Sequence, residues 1–265
     1  MPEARVIEGL PALDRGAGRI FAVVGVFDGL HRGHAYLVRQ LVRESRLRDS
    51  RPAVITFDHH PDEIIRGAAP PLLLDPAERI ARMSSLGVQV VLVAHFDERL
   101  RRTTYIDFID ALRQRVDLAG ILMTSESAFG HERRGTPDAV AALGRDRGFD
   151  VVVVEPLTID GHSVSSSAIR ASIAAGELRA AGQLLGRRVA VTGEIPASSP
   201  RTVTFALPVA LPPVGRYEAI VGPPVDVGPA ARRIERRRSV SVSPVGIDLA
   251  SDAPSGARLR VAFPG

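Results

Sequence analysis

Short apolar runs at residues 20–26, 53–57, 90–93, 120–123 and 151–154 alternate with helical patterns at 35–48, 76–86, 105–115 and 137–147. Compact apolar runs bounded by polar turns predict buried strands, and 3.6-residue spacing predicts helices between them. Consecutive parallel strands need a crossover, and right-handed helical crossovers build an α/β, Rossmann-like doubly wound parallel sheet. Two helix starts are plainly marked. Asp75-Pro76-Ala77-Glu78 supplies an N-cap, a first-position proline and a third-position acid, and Thr136-Pro137-Asp138 repeats the cap and proline. Gly87 and Gly148 suit helix C-termini.

The texture changes after Val191. Eleven of the 20 prolines lie beyond it, with apolar or β-branched runs at 202–206, 217–221, 239–242 and 257–263 between Pro/Gly turns. This predicts a small all-β, barrel-like domain at 189–265 following an α/β domain at 1–188.

Composition removes several chemistries. There is no cysteine, which excludes disulfides, zinc-thiolate sites and cysteine nucleophiles. All 34 basic residues are arginine, so a P-loop lysine and Schiff-base chemistry are excluded as well. No apolar run approaches the roughly 20 residues of a membrane span, and the first residues lack a secretory pattern. The expectation is a cytoplasmic protein without a membrane partner. Arg232, Arg233, Arg236, Arg237 and Arg238 form a basic run without interleaved aromatics. A solvated face accounts for that run better than a nucleic-acid contact.

The segment GVFDGLHRGH at 25–34 carries the most chemistry. It joins the first strand to the first helix, and a glycine-rich strand-to-helix turn gathers backbone N–H groups into an anion site. In doubly wound sheets, ligands bind beyond the carboxyl ends of the strands, where this segment falls. His31 and His34 are three residues apart and can face one ligand from the first helical turn. Phosphate contacts, two ligands of a metal site and ordinary helix-start residues are all compatible with that spacing, although no HxxH pattern nominates a third zinc ligand. By themselves, His59 and His60 read as turn residues, His95, His131 and His162 as surface residues, and Phe57, Phe108 and Phe149 as core. Arg133 and Arg134 sit in a glycine-flanked loop, suited equally to solvation or to a phosphate or ribose contact.

Four segments in order resemble the bacterial bifunctional riboflavin kinase/FAD synthetases, of the HxGH nucleotidyltransferase superfamily. They are GVFDGLHRGH at 25–34, TFDHHP at 56–61, FGHERRG at 129–135 and VSSSAIR at 164–170, with weaker support from 72–88. The resemblance implies transfer of AMP from ATP to FMN, giving FAD and pyrophosphate, with Mg²⁺ bridging phosphate oxygens. His31, His34 and Arg170 would be catalytic. Gly25, Val26, Phe27, Asp28, Gly29, Ser165, Ser166 and Ser167 would hold ATP. Asp58, His60, Pro61, Glu126 and Arg133 would lie on the acceptor side, near the flavin phosphate.

The chain departs from the family's pattern in places. His59 replaces a proline of TFDPHP, and residues 124–128 read TSESA where the family has Gly-x-Asp/Asn-Phe, leaving Glu126 in the polar position. The PTAN segment of the kinase half is absent, and the corresponding stretch, 198–208, reads SSPRTVTFALP. The expectation is an FMN adenylyltransferase without riboflavin kinase activity. The alternatives are an adenylyltransferase for another phosphate acceptor and a non-catalytic flavin- or nucleotide-binding homologue.

Overall fold

A computed structural model describes residues 3–224 and 236–264. Six strands form one fully parallel sheet: β1 (Arg5–Glu8), β2 (Arg19–Val24), β3 (Arg51–Phe57), β4 (Val90–Ala94), β5 (Asp117–Thr124) and β6 (Asp150–Val154). Helices α1 (Arg32–Leu47), α2 (Pro61–Arg66), α3 (Pro76–Ser85), α4 (Glu98–Arg102), α5 (Tyr105–Arg113) and α6 (Pro137–Arg147) connect them. The spatial order is β1-β4-β3-β2-β5-β6. The chain runs outward from β2 through β3 to β4, then returns to the other side of β2 with β5 and β6. The reversal lies between β2 and β5, and such switch points open a crevice at the carboxyl ends of the strands. Residue 25 begins there.

All five expected strands are present, with ends shifted by at most three residues. The edge strand β1 escapes sequence reading because it is short and only Ile7 of its four residues is buried. Glycine also shapes the sheet: a Cβ at Gly120 would lie 2.4 Å from Cε2 of Phe21 and 2.5 Å from the carbonyl oxygen of Asp150. A bulge in the β2–β5 register falls between Ile20 and Phe21, beside that contact.

The hairpin β7 (Thr158–Ile159) and β8 (His162–Ser163) follows, then helices α7 (Ser166–Ala174) and α8 (Leu178–Leu185). The second sheet is antiparallel: β9 (Ala190–Glu194), β10 (Thr202–Val203), β11 (Gly215–Gly222), β12 (Arg236–Ser243), β13 (Gly246–Leu249) and β14 (Arg258–Ala262), ordered β10-β13-β12-β11-β14-β9. A bridge between Glu194 and Thr204, with both N–H···O bonds at 2.9 Å, joins the two ends and nearly closes a barrel. Alternate side chains such as Val240, Val242, Ile247 and Leu249 are buried, the period expected of strands around a filled interior. The strand expected at 202–206 contracts to Thr202–Val203.

The two sheets fall on either side of the 188/189 boundary. Contacts group the chain differently, into one compact unit of residues 3–27, 33–70 and 83–158 and a second of 28–32, 71–82 and 159–264. Of the basic run, Arg232 and Arg233 lie outside the described residues. Arg237 faces Glu218 at 3.9 Å and Arg238 donates to Ser251, so these side chains belong to the hairpin surface. Among the described residues, no helix is long and apolar enough to cross a membrane.

Candidate active site

The segment 25–34 contributes to both units. In the first unit it continues from the end of β2. The N–H of Gly25 donates to the carbonyl of Ile55 (3.0 Å), and Oγ1 of Thr56 donates to the carbonyl of Val26 (3.0 Å). Phe27 then adopts φ 55° and is 2 % exposed. Its ring lies 5.0 Å from the imidazole of His34, in the first turn of α1. A side chain at Gly25 would press against the Phe27 ring, with a Cβ 3.0 Å from Cε2. The turn is thus drawn tight by glycine and an inward aromatic.

In the second unit, Asp28 organises the middle of the motif. It is 2 % exposed, and both carboxylate oxygens accept from the N–H of Leu73 (3.1 Å). Oδ2 also accepts from Nη2 of Arg170 at 2.5 Å, while Nε of Arg170 donates to the carbonyl of Pro71 (2.7 Å). The backbone carbonyl of Asp28 accepts from Oγ of Ser166 (2.9 Å), and Ser165 caps α7 through the N–H of Ala168 (3.2 Å). Ser167, the third hydroxyl of the run, is exposed. Gly29, at φ 77°, packs so closely on Leu73 that a Cβ there would lie 3.0 Å from it. Nη2 of Arg187 donates to the carbonyl of Gly29 (2.6 Å).

His31 lies within this arrangement, 4 % exposed, immediately before α1. Burial, reinforced by the positive charges of Arg187 and Arg170, pushes its pKa down to about 4, so the imidazole is neutral at pH 7. Burial likewise lowers Arg187 to about 10, still fully charged at neutral pH. The motif therefore presents a neutral imidazole between two guanidinium groups, one of them already paired with Asp28. Arg187 had no signal in the sequence. It follows α8 in an ordinary Gly-Arg-Arg turn, and only the fold brings it to Gly29.

Asp58, His60 and Pro61, expected on the acceptor side, lie just past the carboxyl end of β3 in the first unit, next to the end of β4. Asp58 follows β3 directly, and its N–H donates to the carbonyl of Ala94 (3.1 Å). Oδ1 of Asp58 accepts from the N–H groups of His59 (2.7 Å) and Phe96 (3.0 Å), and Oδ2 accepts from Nδ1 of His95 (2.5 Å). Partial burial raises the carboxyl pKa, but the bonds from His95, Phe96 and His59 outweigh it and hold the group at about 2. His95, read as a surface residue, thus belongs to this cluster although its side chain is 64 % exposed. Nδ1 of His60 accepts from the N–H of Asp62 (3.1 Å), capping α2, with Pro61 in its first turn. His60 is therefore the turn residue expected from its spacing, held at the end of β3.

Beside this cluster lies a cavity of about 380 Å³ lined by Val24, Phe57, Ile65, Phe96, Leu100, Arg101, Thr103, Phe108 and the 129–133 loop. Phe57 meets Phe96 edge-on at 5.2 Å, and Phe108 meets Phe129 at 6.0 Å. Of the three phenylalanines expected as core, Phe149 is core, Phe108 is core and also lines the cavity, and Phe57 is half-buried and forms a cavity wall instead. The FGHERRG loop is pinned by paired hydrogen bonds between Phe129 and Gly135 and by the N–H of His131 to the carbonyl of Thr103 (2.8 Å). Arg133, at φ 55°, is exposed and lines the cavity; Glu126 is exposed in the turn after β5 and does not line it. The cavity is mainly aromatic and aliphatic, with Arg101, Glu132 and Arg133 also in its lining, a surface that suits a planar ring system carrying an anionic group.

Comparison with known proteins places the chain in a family. Residues 15–168 match the FAD synthetase family. Over 195 residues the chain is 30 % identical to a bifunctional riboflavin kinase/FMN adenylyltransferase of Escherichia coli K12, covering 73 % of this chain and 62 % of that protein. A Pseudomonas fluorescens protein of the same description is 33 % identical over 178 residues, 66 % of this chain and 56 % of that one. The match thus spans less than two thirds of these relatives' length. The crystal structure of a macrolide-efflux protein from Streptococcus pneumoniae superposes with a TM-score of 0.79 at 21 % identity, covering 99 % of this chain and 98 % of that one. At that identity, only the fold is shared. With the matched family spanning the motif, the acceptor segment and the cavity loop, the chain belongs to the FAD synthetase family.

Proposed function

We propose that this protein is an FMN adenylyltransferase that joins the AMP moiety of ATP to FMN in the cytoplasm. A phosphate oxygen of FMN attacks the α-phosphorus; a new P–O–P linkage forms, the bond from that phosphorus to the α,β-bridging oxygen breaks, and pyrophosphate leaves. The observation that carries the reading is the aromatic-walled cavity at the carboxyl ends of β2 and β3, whose lining residue Val24 immediately precedes the glycine-rich turn in the chain. It suits the isoalloxazine ring, while the turn suits phosphate.

Such a transfer asks for position and neutralisation of charge rather than a covalent intermediate. The N–H of Gly25 is taken by Ile55, so the turn's donors come from 27–29, and His31 and His34 meet the triphosphate at the start of α1. His31 is neutral in the free protein, so it enters as a hydrogen-bond donor. An arriving polyanion favours its charged form and draws a proton onto it. Arg187 and Arg170 supply fixed positive charge. The Asp28 carboxylate is already bonded to Leu73 and Arg170, and the pair with Arg170 offsets its charge. Mg²⁺ would enter with ATP as part of the substrate and would supply further neutralisation of phosphate charge. Asp58, His60, Pro61 and Arg133 border the acceptor side.

We also propose that the barrel has lost riboflavin kinase activity. In the stretch that replaces PTAN, Oγ of Ser199 donates to Oγ1 of Thr202 (2.8 Å), which donates to Asp248 (2.7 Å). Its hydroxyls serve the strands, which supports the absence of a nucleotide site there. The test is turnover with ATP and Mg²⁺, offering FMN and riboflavin separately. FAD from FMN alone is expected, and the His31→Ala variant should lose turnover. FMN or FAD formed from riboflavin refutes the loss of kinase activity. No FAD from FMN, with ATP still bound, refutes FMN as the acceptor.

A further inference from the structure

The ends of β3 and β4 bring together a carboxylate and two imidazoles from positions 37 residues apart: Asp58, His59 and His95. Each offers one ligand atom, and these atoms all lie within 4.8 Å of one another. We propose that they form a binding site for a divalent transition metal ion of the Zn²⁺ class.

Three arguments support the assignment. The first is donor chemistry: two imidazoles and one carboxylate suit Zn²⁺, Co²⁺ or Ni²⁺, whereas Mg²⁺ and Ca²⁺ prefer all-oxygen sites. The second is distance. Zinc bonds to His or Asp are about 2.0–2.2 Å, so ligand atoms around a tetrahedral ion stand roughly 3.3 Å apart. Here Nδ1 of His95 is 2.5 Å from Oδ2 of Asp58, and Nδ1 of His59 is 3.1 Å from Oδ1. Adjustments of about an ångström in exposed side chains seat the ion. The third is preorganisation. Oδ1 of Asp58 is held by two backbone N–H groups and its own N–H is tied to Ala94, so the carboxylate that would anchor the metal is already oriented by the sheet. Such second-shell bonding is what fixes first-shell ligands.

For Nδ1 of His95 to bind the ion, the proton it shares with Oδ2 of Asp58 must leave it, passing to Nε2 in a neutral imidazole or to solvent from an imidazolium. Three protein ligands leave a four-coordinate ion one position for water. The site shares Asp58 with the acceptor side proposed above, but binding of the ion itself needs neither ATP nor flavin.

The test uses the full chain, treated with a chelator and dialysed, in a calorimetric titration with ZnCl₂, and in a parallel titration with CoCl₂ followed by visible absorption. One ion per chain and a ligand-field band are expected. Replacing a ligand should cost at least the ~10-fold that even outer-shell partners command. The His95→Gln and His59→Ala variants should therefore bind at least tenfold more weakly, and His162→Gln should bind as the wild type does. Two outcomes overturn the proposal. One is absence of binding by the wild type, which leaves the cluster an ion pair only. The other is undiminished affinity in the His59→Ala/His95→Gln double variant. The side chains replaced are exposed, and the circular dichroism spectrum of each variant confirms that the chain remains folded.

Discussion

His31 should make the protein acid-labile in a way that one substitution removes. Burial and two neighbouring guanidiniums hold its pKa at about 4 against 6.5 in an unfolded chain. A base whose folded pKa is depressed contributes stability above the unfolded value, and that contribution is lost as pH falls toward the folded value. The window is therefore pH 6.5 down to about 4. Integrating the linkage relation across it, the unfolded state gains on the folded one by about 2 kcal/mol at pH 5 and about 3 kcal/mol at pH 4. The other histidines titrate too, so the measurement is a difference: urea unfolding of wild type and His31→Gln at intervals from pH 7.5 to 4. The variant should be less stable at neutral pH, because its amide replaces a fitted ring, but its stability should fall less steeply with acid. Parallel curves, or a steeper fall in the variant, would mean that His31 is not held neutral, and the account of its environment given above would be wrong.

Asp28→Asn should destabilise the protein by about 3 kcal/mol, because it leaves the partly buried guanidinium of Arg170 without its carboxylate. A thermal-unfolding change smaller than about 1 kcal/mol would show that the pair is incidental. Gly120→Ala should prevent folding or cost more than about 3 kcal/mol, since the new methyl meets Phe21 and the backbone of Asp150 inside 2.6 Å; near-wild-type stability would argue against the β2–β5–β6 register. Gly29→Ala combines φ 77° with a 3.0 Å approach to Leu73 and should cost about 1–3 kcal/mol by urea unfolding. Phe129→Ala should raise the KM for FMN at least several-fold while sparing that for ATP, and an equal effect on both would detach the cavity from the flavin.

Much of the fold and part of the site were legible in the sequence because their causes are local. Apolar runs bounded by turns became β2 to β6, and Asp75 and Thr136 cap their helices through side-chain oxygens as their spacing predicts. The glycine-rich segment at 25–34 fell at the end of β2 because a strand-to-helix turn is a property of consecutive residues. What tertiary structure decided depends on groups distant in sequence. Strand order, and hence the switch point beside residue 25, is set by which apolar faces pair. Barrel closure rests on a single bridge between Glu194 and Thr204. Arg187 reaches Gly29, 158 residues away, and His95 reaches Asp58, 37 residues away. The charge state of His31 is the clearest case. Sequence placed the imidazole at the start of a helix, but burial and two converging guanidiniums made it neutral, because desolvation and Coulomb repulsion belong to an environment that only the folded chain assembles.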